Sequence, residues 1–314
     1  MEQVIFWFGV FGLSLWVLVK SSYHFTEAAE ALAHFFQAPR FIVGVTIVSI
    51  GTSLPELASG IMATAQGSSE ITTGAVFGSN ITNILLVLGA AAIINRLLSV
   101  SWELVKVDLP ILVGSAFLLA LVALDGQINR YEAILCLLGY GFYFAYAFTT
   151  QKRPWLEFLR RRPEEKLNYQ VLLTLIFAPV FIFLGAKYTI EAVVQLAEHL
   201  ILSKEAIGAA VLALGTSLPE LAVVASAAYK KRSEIVVGTV LGSNIFNSFA
   251  VVGFSGLLGV LVVPQSLIFF AMPMMLGATF LYFFITQDRE ISRWEGFILI
   301  LLYAAFIGKL LSLF

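Results

Sequence analysis

One stretch of eight residues occurs twice in this chain and constrains its fold more than any other feature. Gly-Thr-Ser-Leu-Pro-Glu-Leu-Ala fills residues 51–58 and again residues 215–222, at an offset of 164. With that offset kept, residues 44–89 align without a gap on residues 208–253, with 22 identities in 46 pairs. The chain therefore consists of two related halves, and its fold must place the two copies in equivalent positions.

The sequence around the repeats excludes an ordinary soluble domain. Of the 314 residues, 59% are hydrophobic and 12% are charged, and the mean hydropathy is +0.91. The apolar runs are long and continuous and lack the alternation of barrel strands, which favours helices. We predict an all-α polytopic protein of the lipid bilayer with ten transmembrane helices, each of about 20 residues. The predicted spans are 4–21, 40–65, 72–95, 106–124, 130–149, 170–187, 206–228, 236–260, 266–286 and 293–312.

The repeat predicts the domain organisation. Residues 1–150 form a first five-helix repeat, residues 170–314 form a second, and residues 151–169 form a basic loop between them. Because each repeat has an odd number of spans, the two repeats must be inverted relative to each other across the membrane plane. With both termini outside, 15 of the 19 Lys and Arg residues lie on the inner side, as the positive-inside rule requires. We therefore predict a cytoplasmic loop and two external termini.

Each copy of the octapeptide places a glutamate near the centre of an apolar span. An ionisable residue at that depth is unfavourable, and a function is its default explanation, which applies to both Glu56 and Glu220. Thr52 precedes Glu56 by four residues, and Thr216 precedes Glu220 by four, so each pair shares a helix face. A second repeated block, Gly-Ser-Asn-Ile-x-Asn, gives the equally spaced pairs Ser79 with Asn83 and Ser243 with Asn247.

Prolines add backbone oxygens to these side chains. Pro55 and Pro219 each remove a backbone donor within a span, which is tolerated where the freed carbonyls are buried or line a cavity. The carbonyls near Ser49 and Ala213 are the candidates. An all-oxygen set favours hard cations such as Ca²⁺ or Na⁺. Two carboxylates can neutralise one divalent ion or more than one monovalent ion. We therefore predict one midplane site that binds either a divalent ion or monovalent ions. The alternative is that the hydroxyls and amides only bridge helices.

Other functional classes have little support in the sequence. The single Cys136 excludes a disulfide framework, and a net charge of −1 implies no nucleic-acid partner. No protein partner and no cofactor are indicated. The carboxylates are accompanied by neither a nucleophile–base pair nor a metal-hydroxide motif, so we expect no enzyme activity. The N-terminus lacks the basic region of a cleaved signal peptide, so we interpret the first apolar run as a retained span.

The two repeated blocks resemble the α-repeats of the calcium/cation antiporter superfamily, especially its sodium/calcium exchangers. The resemblance extends over both blocks and the ten-span plan. It implies that spans two, three, seven and eight surround the ions and that spans one and six slide against them. By motif position it implies these ligands: Ser49 and Ala213 through their carbonyls, and Thr52, Ser53, Glu56, Ser79, Asn83, Thr216, Ser217, Glu220, Ser243 and Asn247.

The resemblance predicts an antiporter in which inward Na⁺ flow drives Ca²⁺ out, in a prokaryotic plasma membrane. K⁺-dependent members of the family have Asp at the position of Asn247, so we expect exchange without K⁺. A Ca²⁺/H⁺ antiporter is the nearest alternative, but that branch has a Gly-Asn-x-x-Glu pattern instead of Gly-Thr-Ser-Leu-Pro-Glu. A passive cation channel is a further alternative, although it would need a continuous pore.

Overall fold

The structure is a computed structural model, and it describes residues 2–35, 40–100, 104–149, 168–199 and 217–310. Most of these residues are helical, as the apolar runs predicted. The first half contains α1 (Glu2–Phe35), α2 (Arg40–Val43), α3 (Ser49–Ala65), α4 (Ser69–Thr82), α5 (Gly89–Asn95), α6 (Leu109–Ala123) and α7 (Arg130–Thr149). The second half contains α8 (Tyr169–His199), α9 (Leu218–Tyr229), α10 (Ser233–Phe246), α11 (Val252–Leu258), α12 (Met272–Ile285) and α13 (Arg293–Leu310).

Five short π-helical segments join or precede these helices, and the sequence patterns did not predict them. One of them joins α2 to α3, another joins α4 to α5, and a third joins α10 to α11, so each of these pairs is a continuous helix with a wider turn inside. π-Helical turns are rare and are frequent at functional sites. The segments are π1 (Gly44–Val48), π2 (Asn83–Leu88), π3 (Leu104–Asp108), π4 (Asn247–Val251) and π5 (Leu267–Ala271).

Seven helical segments among the described residues are long and apolar enough to cross a membrane, judged by length and composition. α9 is apolar but shorter, while α7 and α13 are continuous helices of 20 and 18 residues that lie outside this set. A helical membrane protein is thus supported, and the count of ten spans stays a prediction. The seven segments are Gln3–Leu32, Phe41–Ala65, Ser69–Asn95, Lys106–Ala123, Tyr169–Thr189, Ser233–Leu258 and Leu267–Ile285.

The predicted end of span one was wrong, and the helices that contain spans one and six both continue past the predicted spans. α1 has 34 residues and continues to Phe35, and α8 has 31 residues and continues to His199. In α1 the extension reads Thr-Glu-Ala-Ala-Glu-Ala-Leu-Ala over residues 26–33, without Gly or Pro and rich in strong helix formers. The charged residues Glu27 and Glu30 interrupt the apolar sequence, but the helix continues through them.

Two short β-ribbons correct the all-α prediction. Strand β1 (Leu97–Ser99) pairs antiparallel with β4 (Glu290–Ser292), and β2 (Gln127–Ile128) pairs antiparallel with β3 (Leu261–Val262). Each ribbon joins a strand of the first half to a strand of the second. Strands of two or three residues are too short for an alternating pattern to predict them.

Packing divides the helices into a pair and a larger assembly. α1 packs along α8, and Gly185 permits the close approach, because a Cβ atom there would lie 2.9 Å from the Leu18 nitrogen. In the larger assembly α10 contacts α2, π1, α3 and α9, while α11 contacts α3 and α7. The continuous segment Ser233–Leu258 is buried over its whole apolar window, so α10 and π4 form the centre of the protein.

Candidate cation-binding site

Two buried glutamates from different halves lie at the centre of the helix assembly. Glu56, on α3, is 6% exposed, and Glu220, in the first turn of α9, is 1% exposed. The Ser53 hydroxyl donates a hydrogen bond to Glu220 Oε1 at 2.9 Å, and the two carboxylates are close enough to interact electrostatically. The structure therefore brings together the two acidic residues of the repeated octapeptide.

Most oxygens of these carboxylates have no hydrogen-bond partner among the described residues. Both oxygens of Glu56 and Oε2 of Glu220 are buried without one. A buried acceptor without a partner destabilises a protein by about 1–3 kcal/mol, and more when it is charged. Oxygens left in this condition by the fold are available to bind a cation.

The prolines of the two octapeptides stand in different positions. Pro55 lies inside α3, as predicted, whereas Pro219 lies in the first turn of α9, where a missing donor is normal. The Ser49 carbonyl accepts a hydrogen bond from the Thr52 hydroxyl at 3.1 Å. This carbonyl thus has a donor within its own helix, and its binding of an ion stays a prediction.

The second repeated block places polar groups on α4 and α10 and on the π-helical segments that follow them. Ser79, Asn83, Ser243 and Asn247 are each at most 1% exposed. The amide groups of Asn83 and Asn247 and the hydroxyl of Ser243 have no hydrogen-bond partner in the part of the chain that the structure describes. Asn83 is the first residue of π2, and Asn247 is the first residue of π4. In both halves, therefore, the repeated asparagine is the residue at which a π-helical segment begins.

The remaining predicted ligands divide into described and undescribed residues. Thr52 is 1% exposed and its side chain also interacts with Glu220, and Ser53 is fully buried. Ser217 is 2% exposed, and its hydroxyl has no partner among the described residues. Ala213 and Thr216 lie outside the described residues.

One hydrogen bond near the site was missed by the sequence analysis. Asn80 Nδ2 donates to Ser248 Oγ at 2.9 Å and so joins α4 of the first half to π4 of the second. Asn80 is three residues before Asn83, and Ser248 follows Asn247 directly. Asn80 and its equivalent Asn244 were visible as repeated residues, but repetition alone does not show which residue lies across the interface.

Comparison with known proteins identifies the family. The sodium/calcium exchanger protein family matches residues 6–149 and 170–311. These ranges include both glutamates and every described residue of the site.

The chain belongs to the sodium/calcium exchanger family. It is therefore a member of a family of membrane ion antiporters, which are transporters and not enzymes. The predicted resemblance is confirmed at this level.

Individual relatives match over almost the whole chain. Sodium/calcium exchanger MaX1 of Methanosarcina acetivorans is 34% identical over 335 aligned positions, which cover 94% of this chain and 95% of that protein. Putative antiporter CaxA of Alkalimonas amylolytica is 30% identical and covers 96% of this chain and 97% of its own length. The structure of the sodium-calcium exchanger NCX_Mj superposes with a TM-score of 0.84 at 28% identity, covering 98% of this chain and 99% of that one.

Proposed function

We propose that this protein is a secondary antiporter that exchanges Na⁺ for Ca²⁺, exports Ca²⁺ and does not require K⁺. The observation that carries the proposal is the pair of buried carboxylates, Glu56 and Glu220, which interact electrostatically and include three oxygens without a hydrogen-bond partner among the described residues. Two negative charges match one Ca²⁺ or two Na⁺. Because Ca²⁺ and Na⁺ share one set of ligands, binding of one excludes the other, which is the minimum requirement for exchange.

The proposed ligands are the groups predicted from the repeats. They supply only oxygen atoms, which suit hard cations. Support comes from the burial of the described ligands and from the lack of other partners for Glu56, Asn83 and Asn247 among the described residues. The proposed set is Ser49, Thr52, Ser53, Glu56, Ser79, Asn83, Ala213, Thr216, Ser217, Glu220, Ser243 and Asn247.

The proposed architecture has ten spans in two inverted five-helix repeats, residues 1–150 and 170–314. Both termini lie outside, and the loop 151–169 is cytoplasmic, in a prokaryotic plasma membrane. The inward bias of Lys and Arg supports this orientation. The pairing of α1 with α8 supports alternating access, because these helices are the first predicted spans of the two repeats and pack mainly on each other.

Charged contacts tie α1 to the turn between α9 and α10. The Lys230 amine lies 3.8 Å from the Glu27 carboxylate and donates a hydrogen bond to the Tyr23 carbonyl at 2.9 Å. The Arg232 guanidinium lies 2.8 Å from the Glu30 carboxylate. Partial burial lowers the pKa of the Lys230 amine, against the opposing effect of the two glutamates. In the proposed topology these contacts hold the inner ends of α1 and α9 together.

Arg232→Gln is expected to increase the population of the inward-open conformation about fivefold. Ion pairs near the protein surface contribute up to about 1 kcal/mol, which corresponds to this factor. Cysteines at the exposed positions Val19 and Tyr229, in a Cys136→Ala background, can carry spin labels for pulsed distance measurements. Lys309→Gln, on exposed α13 surface, is the charge-matched control. The same distance distribution in Arg232→Gln and the wild type would contradict an ionic contact that closes the inner side.

Wild-type exchange is expected to need Na⁺ but not K⁺. Asn247 and Asn83 are both neutral, so the pocket has two carboxylates, and an amide supplies an oxygen without charge. No third negative charge compensates a K⁺ ion bound beside Ca²⁺. Asn247→Asp adds that charge, and we expect K⁺ to stimulate this variant or its preference for Na⁺ to weaken.

The test is ⁴⁵Ca²⁺ uptake into sealed vesicles that contain the purified protein, under imposed Na⁺, K⁺ or pH gradients. Asn129→Asp is the control for added charge, because Asn129 Oδ1 caps the start of α7 by accepting backbone N–H groups and lies outside the proposed ligand set. Uptake driven by a pH gradient without Na⁺ would favour the Ca²⁺/H⁺ alternative. A strict K⁺ requirement in the wild type would overturn the interpretation of Asn247.

A further inference from the structure

Many buried hydroxyls in the described helices donate a hydrogen bond to a carbonyl one turn earlier. A Ser or Thr that makes this local bond needs no other partner. Thr239 is an exception, since it is completely buried and its Oγ1 has no partner among the described residues. Hydroxyls that make the local bond are those of Ser22, Thr26, Thr46, Ser49, Thr189, Thr279 and Thr286.

Thr239 belongs to a polar stripe on α10. It precedes Ser243 by four residues and Asn247 by eight, so the three side chains lie on one face of the helix. All three carry a buried polar atom without a partner in the described part of the chain. Two of the three are proposed ligands, and Thr239 extends their row by one turn.

The position of Thr239 along the helix is set by its contacts with π1 and α3. A Cβ atom on Gly44 would lie 3.3 Å from the Thr239 nitrogen, whereas one on Gly242 would lie 2.6 Å from Ser49 Oγ. Four residues of helix rise about 6 Å, so Thr239 lies about one turn from Ser243 toward the Ser233 end of α10. In the proposed topology that end is the inner one.

The first half has no equivalent of this hydroxyl. At the repeat offset of 164, Ser243 corresponds to Ser79 and Asn247 to Asn83, but Thr239 corresponds to Ala75. The inverted repeats would place Ala75 one turn from the site on the outer side. The two halves therefore differ at this position, with a hydroxyl at Thr239 and a methyl group at Ala75.

A purely structural explanation of Thr239 conflicts with its environment. Valine has nearly the same shape and would pack there without burying a hydroxyl that lacks a partner. Burying such a hydroxyl destabilises a protein. A bound cation would give this hydroxyl the partner that it does not have among the described residues.

We propose that the Thr239 hydroxyl is an additional Na⁺ ligand on the inner side of the carboxylate site. This inference rests on the proposed exchange function. The hydroxyl is neutral and lies about one helical turn from the proposed ligand Ser243, so it suits a monovalent ion better than Ca²⁺, which needs the carboxylates directly. Neutral oxygens are sufficient to replace the hydration shell of a monovalent cation.

The test compares Thr239→Val with Thr239→Ser and with Thr279→Val. Thr279 is a buried threonine of α12 whose hydroxyl bonds to the Met275 carbonyl at 2.8 Å, so this control removes a hydroxyl that already has a partner. Two quantities are measured on purified protein: the Na⁺ concentration that displaces half of the bound ⁴⁵Ca²⁺, and the unfolding temperature with and without Na⁺ in Ca²⁺-free buffer.

Thr239→Val is expected to raise the half-displacing Na⁺ concentration about tenfold, the effect of losing one ligand oxygen. It should lose most of the Na⁺-induced rise in unfolding temperature, and its ion-free unfolding temperature should equal or exceed that of the wild type. Thr239→Ser and Thr279→Val should keep the wild-type Na⁺ response. Unchanged Na⁺ displacement in Thr239→Val, or a lower ion-free unfolding temperature with an unchanged Na⁺ response, would overturn the inference.

These readouts separate the inference from the proposed function. If the wild type binds Na⁺ but shows no Na⁺-driven Ca²⁺ flux, the exchange function fails while the loss of the Na⁺ response in Thr239→Val still supports the ligand. If the wild type shows neither a Na⁺-induced shift nor displacement of Ca²⁺ by Na⁺, both proposals fail.

Discussion

Glu56→Gln and Glu220→Gln are each expected to abolish Ca²⁺ transport while the protein still folds. Each substitution leaves a single carboxylate to balance a divalent ion in a site that water scarcely reaches. Removing one partner of a buried charge interaction costs about 3 kcal/mol or more, which lowers Ca²⁺ affinity more than a hundredfold. Gln keeps the shape of the side chain, and in the Glu220 variant the new amide oxygen can still accept the hydrogen bond from Ser53.

The ⁴⁵Ca²⁺ flux and the unfolding temperature are measured on the same preparations. The ion-free Glu56→Gln protein should unfold no earlier than the wild type, because the substitution removes a buried charge whose oxygens have no partner among the described residues. Glu132→Gln is the matched control, since Glu132 accepts a backbone N–H at the start of α7 and an amide oxygen can do the same. Ca²⁺ transport at near wild-type rates in either site variant would contradict a two-carboxylate site.

The two carboxylates are not equivalent, although the sequence repeat treats them alike. Ser53 bonds to Glu220 across the interface, whereas its repeat equivalent Ser217 has no partner among the described residues, and neither oxygen of Glu56 has one. Glu56 is thus the less constrained carboxylate in this conformation. We expect its substitution to affect ion binding at least as strongly as that of Glu220, because more of its coordinating capacity is unused.

The sequence was sufficient to predict a helical membrane protein and to pair the two buried glutamates. A glutamate in an apolar run has few explanations, and a second one at a fixed offset implies a shared site, so Glu56 and Glu220 could be paired without a structure. The ranges predicted for spans two and three nearly coincide with Phe41–Ala65 and Ser69–Asn95. Apolar runs of this length fix a helix because a lipid-exposed backbone must satisfy its own hydrogen bonds.

Other features could not be predicted because tertiary packing decides them. A π-helical turn changes the register of one helix without a change in hydrophobic pattern. The segments that start at Asn83 and Asn247 could therefore not be predicted from the sequence. The Asn80–Ser248 bond depends on which faces of α4 and π4 meet. The continuation of α1 past its apolar run depends on its contacts with α8 and α9.

Gly242 shows how closely the two halves approach at the site. A Cβ atom there would lie 2.5 Å from the Val45 carbonyl oxygen and 2.6 Å from Ser49 Oγ. These two atoms already form a hydrogen bond of 2.6 Å. Gly242 therefore permits the close packing of α10 against π1 and Ser49. For Gly74 and Gly78, in the first copy of the repeat, no described residue lies within 4 Å of an added Cβ.

Gly242→Ala is expected to destabilise the protein by about 1–3 kcal/mol and to weaken Ca²⁺ binding, because overpacking forces the backbone of π1 to move. Ser49 would move with it, and its carbonyl is a proposed ligand, so stability and affinity should fall together.

Gly277→Ala is the matched control: Gly277 is exposed on α12, and no described residue lies within 4 Å of its added Cβ. Alanine at that position should leave Ca²⁺ affinity unchanged and raise helix stability slightly. Thermal unfolding and equilibrium ⁴⁵Ca²⁺ binding are measured for both variants. A wild-type unfolding temperature and a wild-type Ca²⁺ affinity in Gly242→Ala would contradict this prediction. They would show that the close contact of α10 with π1 and Ser49 does not position this half of the site.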